Sequence, residues 1–195
     1  MFTLTPCAAG CGRPAITGSA LCAFHAADKE KEAARIGAYI SRQEIIKDLN
    51  APFLRFESTD FSHRRFYGCN FNGAIFFMCL FTKSMMRMAF FDFASFVNCD
   101  FSKSDLQFLS FAGTKLENCT FEGSELEHLN FEGSRIRECT FNHSNLYNSR
   151  FINADMENTD IINCNLKKVY FIKARQEKVS FKSSNTAEAI FKEDV

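Results

Sequence analysis

Cys7, Cys11, Cys22 and His25 are the residues whose types and spacing could do chemistry in this chain of 195 residues. They stand as C-x3-C-x10-C-x2-H, two close ligand pairs separated by a short loop. Three thiolates and an imidazole in that pattern suit a tetrahedral Zn²⁺ ion, and Gly10, Gly12 and Pro14 suit the tight turn at the first pair. All four ligands come from protein, so the expectation is a closed structural site with no open position for substrate. The segment is also too short and polar to bury a core, so a metal staple would stabilise it.

Catalytic chemistry finds no comparable pattern. Outside His25 the histidines are His63, His128 and His143, all at outward turn positions, and neither GxxxxGK[ST] nor HExxH occurs. Glu117, Glu122, Glu125, Glu127 and Glu132 fall on solvated positions and read as a charged face. The chain is therefore not expected to be an enzyme.

The elements that would carry the cysteine cluster follow it. Residues 28–49 read as a helix with Asp28 as N-cap and Ile36, Tyr39, Ile40 and Ile46 on one stripe, ended by Pro52. Beyond it the spacing changes to five. From Phe56 to Phe171 every fifth residue is apolar, and most are Phe. Two residues before each sits a mostly small residue, such as Cys69, Ala74, Cys79, Ser84, Ala89 and Ala94. In extended chain these two positions share a face, so both point inward.

A second period lies within the first. Cys79, Cys99, Cys119 and Cys139 are twenty apart, as are Ser84, Ser104, Ser124 and Ser144. Like residues thus stack every four segments, which predicts an all-β solenoid of four-sided coils. About six coils at ~4.8 Å spacing give a rod on the order of 30 Å long. Six cysteines (69, 79, 99, 119, 139 and 164) occupy the small inward slot and read as buried, unreactive groups.

The pattern resembles the pentapeptide-repeat family, through segments such as CTFEG (119–123), ADMEN (154–158), CDFSK (99–103) and CNLKK (164–168). That resemblance implies a right-handed four-sided β-helix. The N-terminal stretch resembles short Cys3His zinc knuckles. The expected organisation is a knuckle over 1–27, a helical connector or cap over 28–50, the β-helix over 51–183, and a C-terminal cap or dimer-forming tail over 184–195. Arg64, Leu109, Leu129 and Val169 in the small slot predict local bulging. Polar Gln176 and Thr186 in the central slot place the end of the regular coil near 175–183.

Function is expected to lie in the outward residues. Ile75, Phe77, Met78, Leu80, Met85, Met88, Phe90 and Phe93 are apolar at outward positions of the second coil, with Val97 and Phe108 following. They read as spread around several sides of the rod, covered either by the N-terminal segment or by a partner chain. The 117–132 stretch is acidic and the 167–182 stretch basic, which suits a complementary protein. The resulting expectation is a non-catalytic protein-interaction or scaffold module, self-association included. The resemblance implies two alternatives: a DNA mimic that inhibits or protects DNA gyrase or topoisomerase, as some members do, or a bacterial effector delivered to a host. A DNA mimic needs a strongly acidic rod, whereas net charge here is +0. That balance, with only Arg13 as a basic residue before Asp28, also speaks against nucleic acid as partner. No secretory signal or apolar span is apparent, so a cytoplasmic place is expected, with signal-free export leaving the same signature.

Overall fold

An apolar residue every five positions gives each segment one short extended stretch and one turn. In the computed structural model, which describes residues 4–192, the turn is a residue in left-handed conformation two places after each central apolar one. Asp48 (φ 52°), Met88 (53°), Lys103 (58°) and Asn153 (55°) are examples. Four such corners close a coil, and residue i then pairs in parallel with residue i+20, as in Phe56↔Phe76 and Phe76↔Phe96.

Side 1 of the rod is a parallel sheet of β1 (Ile45–Lys47), β3 (Arg65–Tyr67), β5 (Met85–Arg87), β7 (Asp105–Gln107) and β9 (Glu125–Glu127). Side 3, opposite, starts with β2 (Arg55–Glu57), β4 (Ile75–Phe77), β6 (Ser95–Val97) and β8 (Lys115–Glu117). It continues through β10 (Arg135–Arg137), β11 (Asp155–Asp160) and β12 (Arg175–Ser180). Single bridged pairs hold the other two sides: Asn50↔Asn70 and Phe90↔Ser110 on side 2, Asp60↔Leu80 and Asp100↔Thr120 on side 4.

The interior is columns of stacked side chains. On side 4, Phe81 lies on Phe101 with centroids 4.5 Å apart and planes within 2°, and Phe101 lies on Phe121 at 4.7 Å. The side-2 column, Phe71 to Phe191, stacks at similar distances and meets the first edge-on, as at Phe121 and Phe131 (6.3 Å, 89°). Stacked and edge-to-face contacts are the two favourable ring geometries. The coil spacing imposes the first, and columns from different sides meeting in the interior impose the second.

The serine column solves a different problem, the backbone donors at one buried corner. Ser104 Oγ donates to the Phe81 carbonyl (2.7 Å) and accepts the Ser84 N–H (3.2 Å), and Ser124 repeats both bonds one coil later. Cysteine in the equivalent slot of side 4 donates to a carbonyl 23 residues back, as Cys99 Sγ to Phe76 (3.5 Å).

Several expectations are corrected. The helix α1 is Lys29–Ser41, capped by Asp28 accepting the Lys31 N–H (2.8 Å), with Ala33, Ile36 and Ile40 buried and Tyr39 exposed. Ile46 belongs to β1 and is fully buried in the rod. The five-residue register therefore runs back through Ala51 to Ile46, ahead of the expected boundary at 51, and the solenoid has about 7 turns. Leu109, Leu129 and Val169 cause no bulge: all are buried, and pairing along side 2 continues through Ser110↔Asn130 and Arg150↔Tyr170. Volume explains this. Where that slot holds Cys69 the central residue three places earlier is Phe66, and where it holds Leu109 or Leu129 it is Leu106 or Leu126. Arg64 is accommodated differently, with its guanidinium donating to the Ser41 carbonyl (3.1 Å).

At the C-terminal end the coil outlasts its central apolar positions. Gln176 is exposed, yet Ile190 still bridges Tyr170 and the Phe191 ring stacks on Phe171 at 5.1 Å. The described part of the tail thus extends the rod, and residues 193–195 lie outside the described residues.

Candidate metal centre and contact surface

The N-terminal segment is held by its backbone. Cys7 donates its N–H to Arg13 (2.9 Å), Gly10 donates to Cys7 (2.9 Å), and Gly10 takes φ +68°, which a residue without Cβ adopts without strain. His25 and Ala26 both donate to the Cys22 carbonyl, placing the imidazole beside the second thiol. The ligand atoms of Cys7, Cys11, Cys22 and His25 all lie within 4.8 Å of one another, close enough to hold one metal ion. Cys7 Sγ and Cys22 Sγ are each 3.5 Å from His25 Nδ1, and Cys11 Sγ is 3.7 Å from Cys22 Sγ.

The protein's own groups already favour thiolate at two positions. The Cys22 N–H, 3.3 Å from Cys7 Sγ, leads in lowering the Cys7 thiol to about 6. The Arg13 backbone N–H lowers Cys11, burial raises Cys22, and the Cys7 side chain raises His25. The rod's cysteines are the reverse case. Burial pushes Cys69 up to about 12, the neighbouring Cys119 thiol pushes Cys99 up to about 12, and the Cys99 thiol pushes Cys79 up. Protonated thiols with no solvent access are inert, as expected of that slot.

This cluster and α1 sit on the first coil. Asn50 binds the segment three times, its side chain donating to Ala15 (2.6 Å), its N–H to Thr17 Oγ1 (2.7 Å) and its carbonyl accepting the Thr17 N–H (2.9 Å), while Arg35 donates to the Thr17 carbonyl (2.6 Å). Ile16 and Ala23 join Ile36, Ile40 and Ile46 in one buried cluster, and Phe24 meets Phe53 edge-on at 4.9 Å. The open end of the solenoid is thereby covered.

The apolar second coil is not. Met88, Phe90, Phe93 and Phe108 are 57, 38, 77 and 56% exposed, and Phe53 is 45% exposed. Against expectation, these share one face. Phe90 lies mid-face on side 2, Met88 and Phe108 stack along one of its corners, and Phe53 and Phe93 fall on the other. The remaining apolar residues do spread out: Ile75 and Met78 on side 3 and its corner, Leu80 on side 4, all exposed. Phe77 and Met85 are half-buried, Phe77 beneath the Arg55 guanidinium and Met85 beside the Tyr67 hydroxyl (3.5 Å).

Phe53, Met88, Phe93 and Phe108 are also the wrong residues for their backbone. Each occupies a left-handed corner (φ 58°, 53°, 59° and 57°) where Asn or Gly stands in many other coils. For a bulky side chain such a conformation costs on the order of 1–2 kcal/mol. The Phe93 ring lies over Gly113, where a Cβ would come within 2.6 Å of it. Along the Met88 corner, Lys47, Asp48, Tyr67, Gly68, Met88, Phe90 and Phe108 line a notch of about 380 Å³. Asn or Gly at many second-after-central positions is a sequence signal for corners, and large apolar residues at the same positions were the signal missed.

The histidines stay apart. His128 and His143 each bond an asparagine of the next coil through Nδ1 (2.8 Å to Asn148 and to Asn163). No helix among the described residues is long and apolar enough to cross a membrane.

Comparison with solved structures finds solenoids of low identity. A pentapeptide repeat protein from the Arabidopsis thaliana thylakoid lumen is 24% identical over 46% of this chain and 59% of its own, with TM-score 0.36. The chain thus spans less than two thirds of that protein. QnrB1, a plasmid-mediated fluoroquinolone resistance protein, is 11% identical over 72% of this chain and 83% of its own, with TM-score 0.39. HetL, a pentapeptide repeat protein involved in heterocyst differentiation regulation from the cyanobacterium Nostoc, is 10% identical over 83% and 96%, with TM-score 0.25. Comparison with curated proteins gave no match. The family model for pentapeptide repeats matches in 8 copies, over residues 104–142, 130–167 and 141–175. Residues 104–175 thus match the pentapeptide-repeat family model, and the same i to i+20 register runs through the described coils on either side of that stretch.

Proposed function

We propose that this protein is a non-catalytic scaffold that holds another protein chain on side 2, with its first coil clasped by structural zinc. The observation that carries the reading is the set Met88, Phe90, Phe93 and Phe108: apolar, exposed on one face, and strained at three of four positions. Strain that the solenoid does not need points to a role outside it. Buried, such a set would contribute the apolar anchors that dominate protein contacts.

Zinc is supported by the cluster's dimensions. Zn–S bonds of about 2.3 Å and Zn–N bonds of about 2.0–2.1 Å at tetrahedral angles give edges of about 3.8 Å between sulfurs and about 3.5 Å between sulfur and nitrogen. Three of the six separations, 3.7 Å for Cys11–Cys22 and 3.5 Å for His25 to Cys7 and Cys22, match these edges, and all four atoms lie within 4.8 Å of one another. Four protein donors leave the ion no open position, and its contribution would be to hold residues 7–25 in the shape that seats Ile16 and Ala23 on the first coil.

Crosslinking mass spectrometry in extract of the source organism tests the contact surface. The expected result is crosslinks that map to side 2 and vanish in a folded Phe90→Ser/Phe93→Ser variant. Crosslinks that map to sides 3 and 4 and survive the substitutions would contradict it.

A further inference from the structure

We infer that the occupant of side 2 is a second copy of this chain, its rod antiparallel to the first across a twofold axis at the level of Phe90. This rests on the reading of side 2 as a contact surface. Because residues repeat in columns twenty apart, an antiparallel pair sets each column against itself reversed. The outcome can be read directly from the sequence columns and the corner positions.

In the corner column Asp48, Gly68, Met88, Phe108, His128, Met88 meets Met88 and Gly68 meets Phe108. The Phe108 ring of the second copy then enters the notch that Gly68 opens between Tyr67, Met88 and Phe90. Asp48 meets His128 at the end of the same column. On the adjoining edge of side 1, Lys47 meets Glu127, whose carboxylate also accepts from Asn145 (2.8 Å). In the other corner column Phe93 meets Phe93, and Phe53 meets Gly133, above which there is open space. Knobs meet holes, and Lys47 meets Glu127 on both sides of the axis, as suits an isologous interface.

A parallel pair lacks this match. It would set the two corner columns against one another, so that Gly68 met Gly73, and Phe108 met Gly113, already covered by the Phe93 ring. The like-charged self-pairs of the antiparallel arrangement are Arg87 opposite Arg87, whose guanidinium is paired with Asp105 on its own rod (2.5 Å), and Asp92 opposite Asp92. That carboxylate is drawn back onto its own rod, accepting from Ser110 Oγ and from the Ala112 N–H. A formal net charge of +0 adds no long-range repulsion. The four phenylalanines leave about 400 Å² exposed, at roughly 200 Å² per side chain. That is about half of the ~800 Å² per partner of a standard interface, so the polar edges of side 2 must supply the rest.

The test uses the full zinc-loaded chain. Sedimentation across the micromolar range is expected to show a monomer–dimer equilibrium, weakened at least tenfold by Met88→Asp. Asp tolerates the left-handed corner, so that variant should keep its circular dichroism and melting temperature. Met88→Cys is expected to form a disulfide between copies under mild oxidation, since the position faces itself across the axis. Met78→Cys, on the corner between sides 3 and 4, should not. The native cysteines give no background, being buried or in the metal cluster. A chain that stays monomeric, a dimer indifferent to Met88→Asp, or equal crosslinking through Met78→Cys would each overturn the second-copy assignment. Monomers that still crosslink through side 2 to a different protein in extract would overturn only that assignment and leave the contact surface standing.

Discussion

Ser104 and Ser134 are equally buried in the rod and differ in what their hydroxyls do. Ser104 Oγ bonds on both sides, whereas Ser134 Oγ has no partner. Ser104→Ala should therefore lower stability by about 1 kcal/mol, removing both hydroxyl bonds and leaving the Ser84 N–H only its 3.2 Å bond to the Phe81 carbonyl. Ser134→Ala should be neutral or stabilising, because Ala74, Ala94 and Ala154 already fill that column. Paired urea melts decide this, and similar losses in both variants would contradict the hydrogen-bond account. For the metal cluster, metal analysis should find one zinc per chain, lost in Cys22→Ser together with protection of residues 7–25 from protease. The ligands were legible in the sequence because metal chemistry restricts residue type and spacing. Serine's role was not, since its period marks it as inward without saying what its hydroxyl meets.

At the scale of elements, the side-3 sheet carries its charge pairs across strands. Asp155 on β11 lies beside Arg137 on β10 (2.5 Å), with Arg175 on β12 and Arg135 near it. Arg137 leads in holding the Asp155 carboxyl below the usual carboxylate range. A depressed folded-state value stabilises the protein above the unfolded value of ~3.9 and loses that contribution as pH falls through the folded one. Acid unfolding should thus steepen below about pH 4, and Asp155→Asn should flatten it, at a cost of about 1 kcal/mol at neutral pH for a partly exposed pair. An unchanged acid limb would assign the pair no role. The helix shows why boundaries were harder to read than elements. Ile46 fits both the helical stripe and the five-residue register, and only β1 pairing with β3 shows which one it serves. Asp28, with a single structural role as N-cap, was legible from the start.

At the scale of the whole molecule the coil was legible because one slot repeats: a central apolar residue every five positions can satisfy few other architectures. What that period cannot report is which outward residues share a side, since that depends on corners of left-handed backbone distributing five-residue segments among four faces. Met88, Phe90, Phe93 and Phe108 look scattered in the chain and lie together on side 2. The most direct test is methyl-labelled methionine NMR of the full chain over a concentration series. The account predicts that the Met88 methyl shifts as copies associate, while Met78 on a different corner and the core residues Met86 and Met156 stay fixed. A spectrum in which Met78 moves and Met88 does not, or in which no methionine responds, would contradict it.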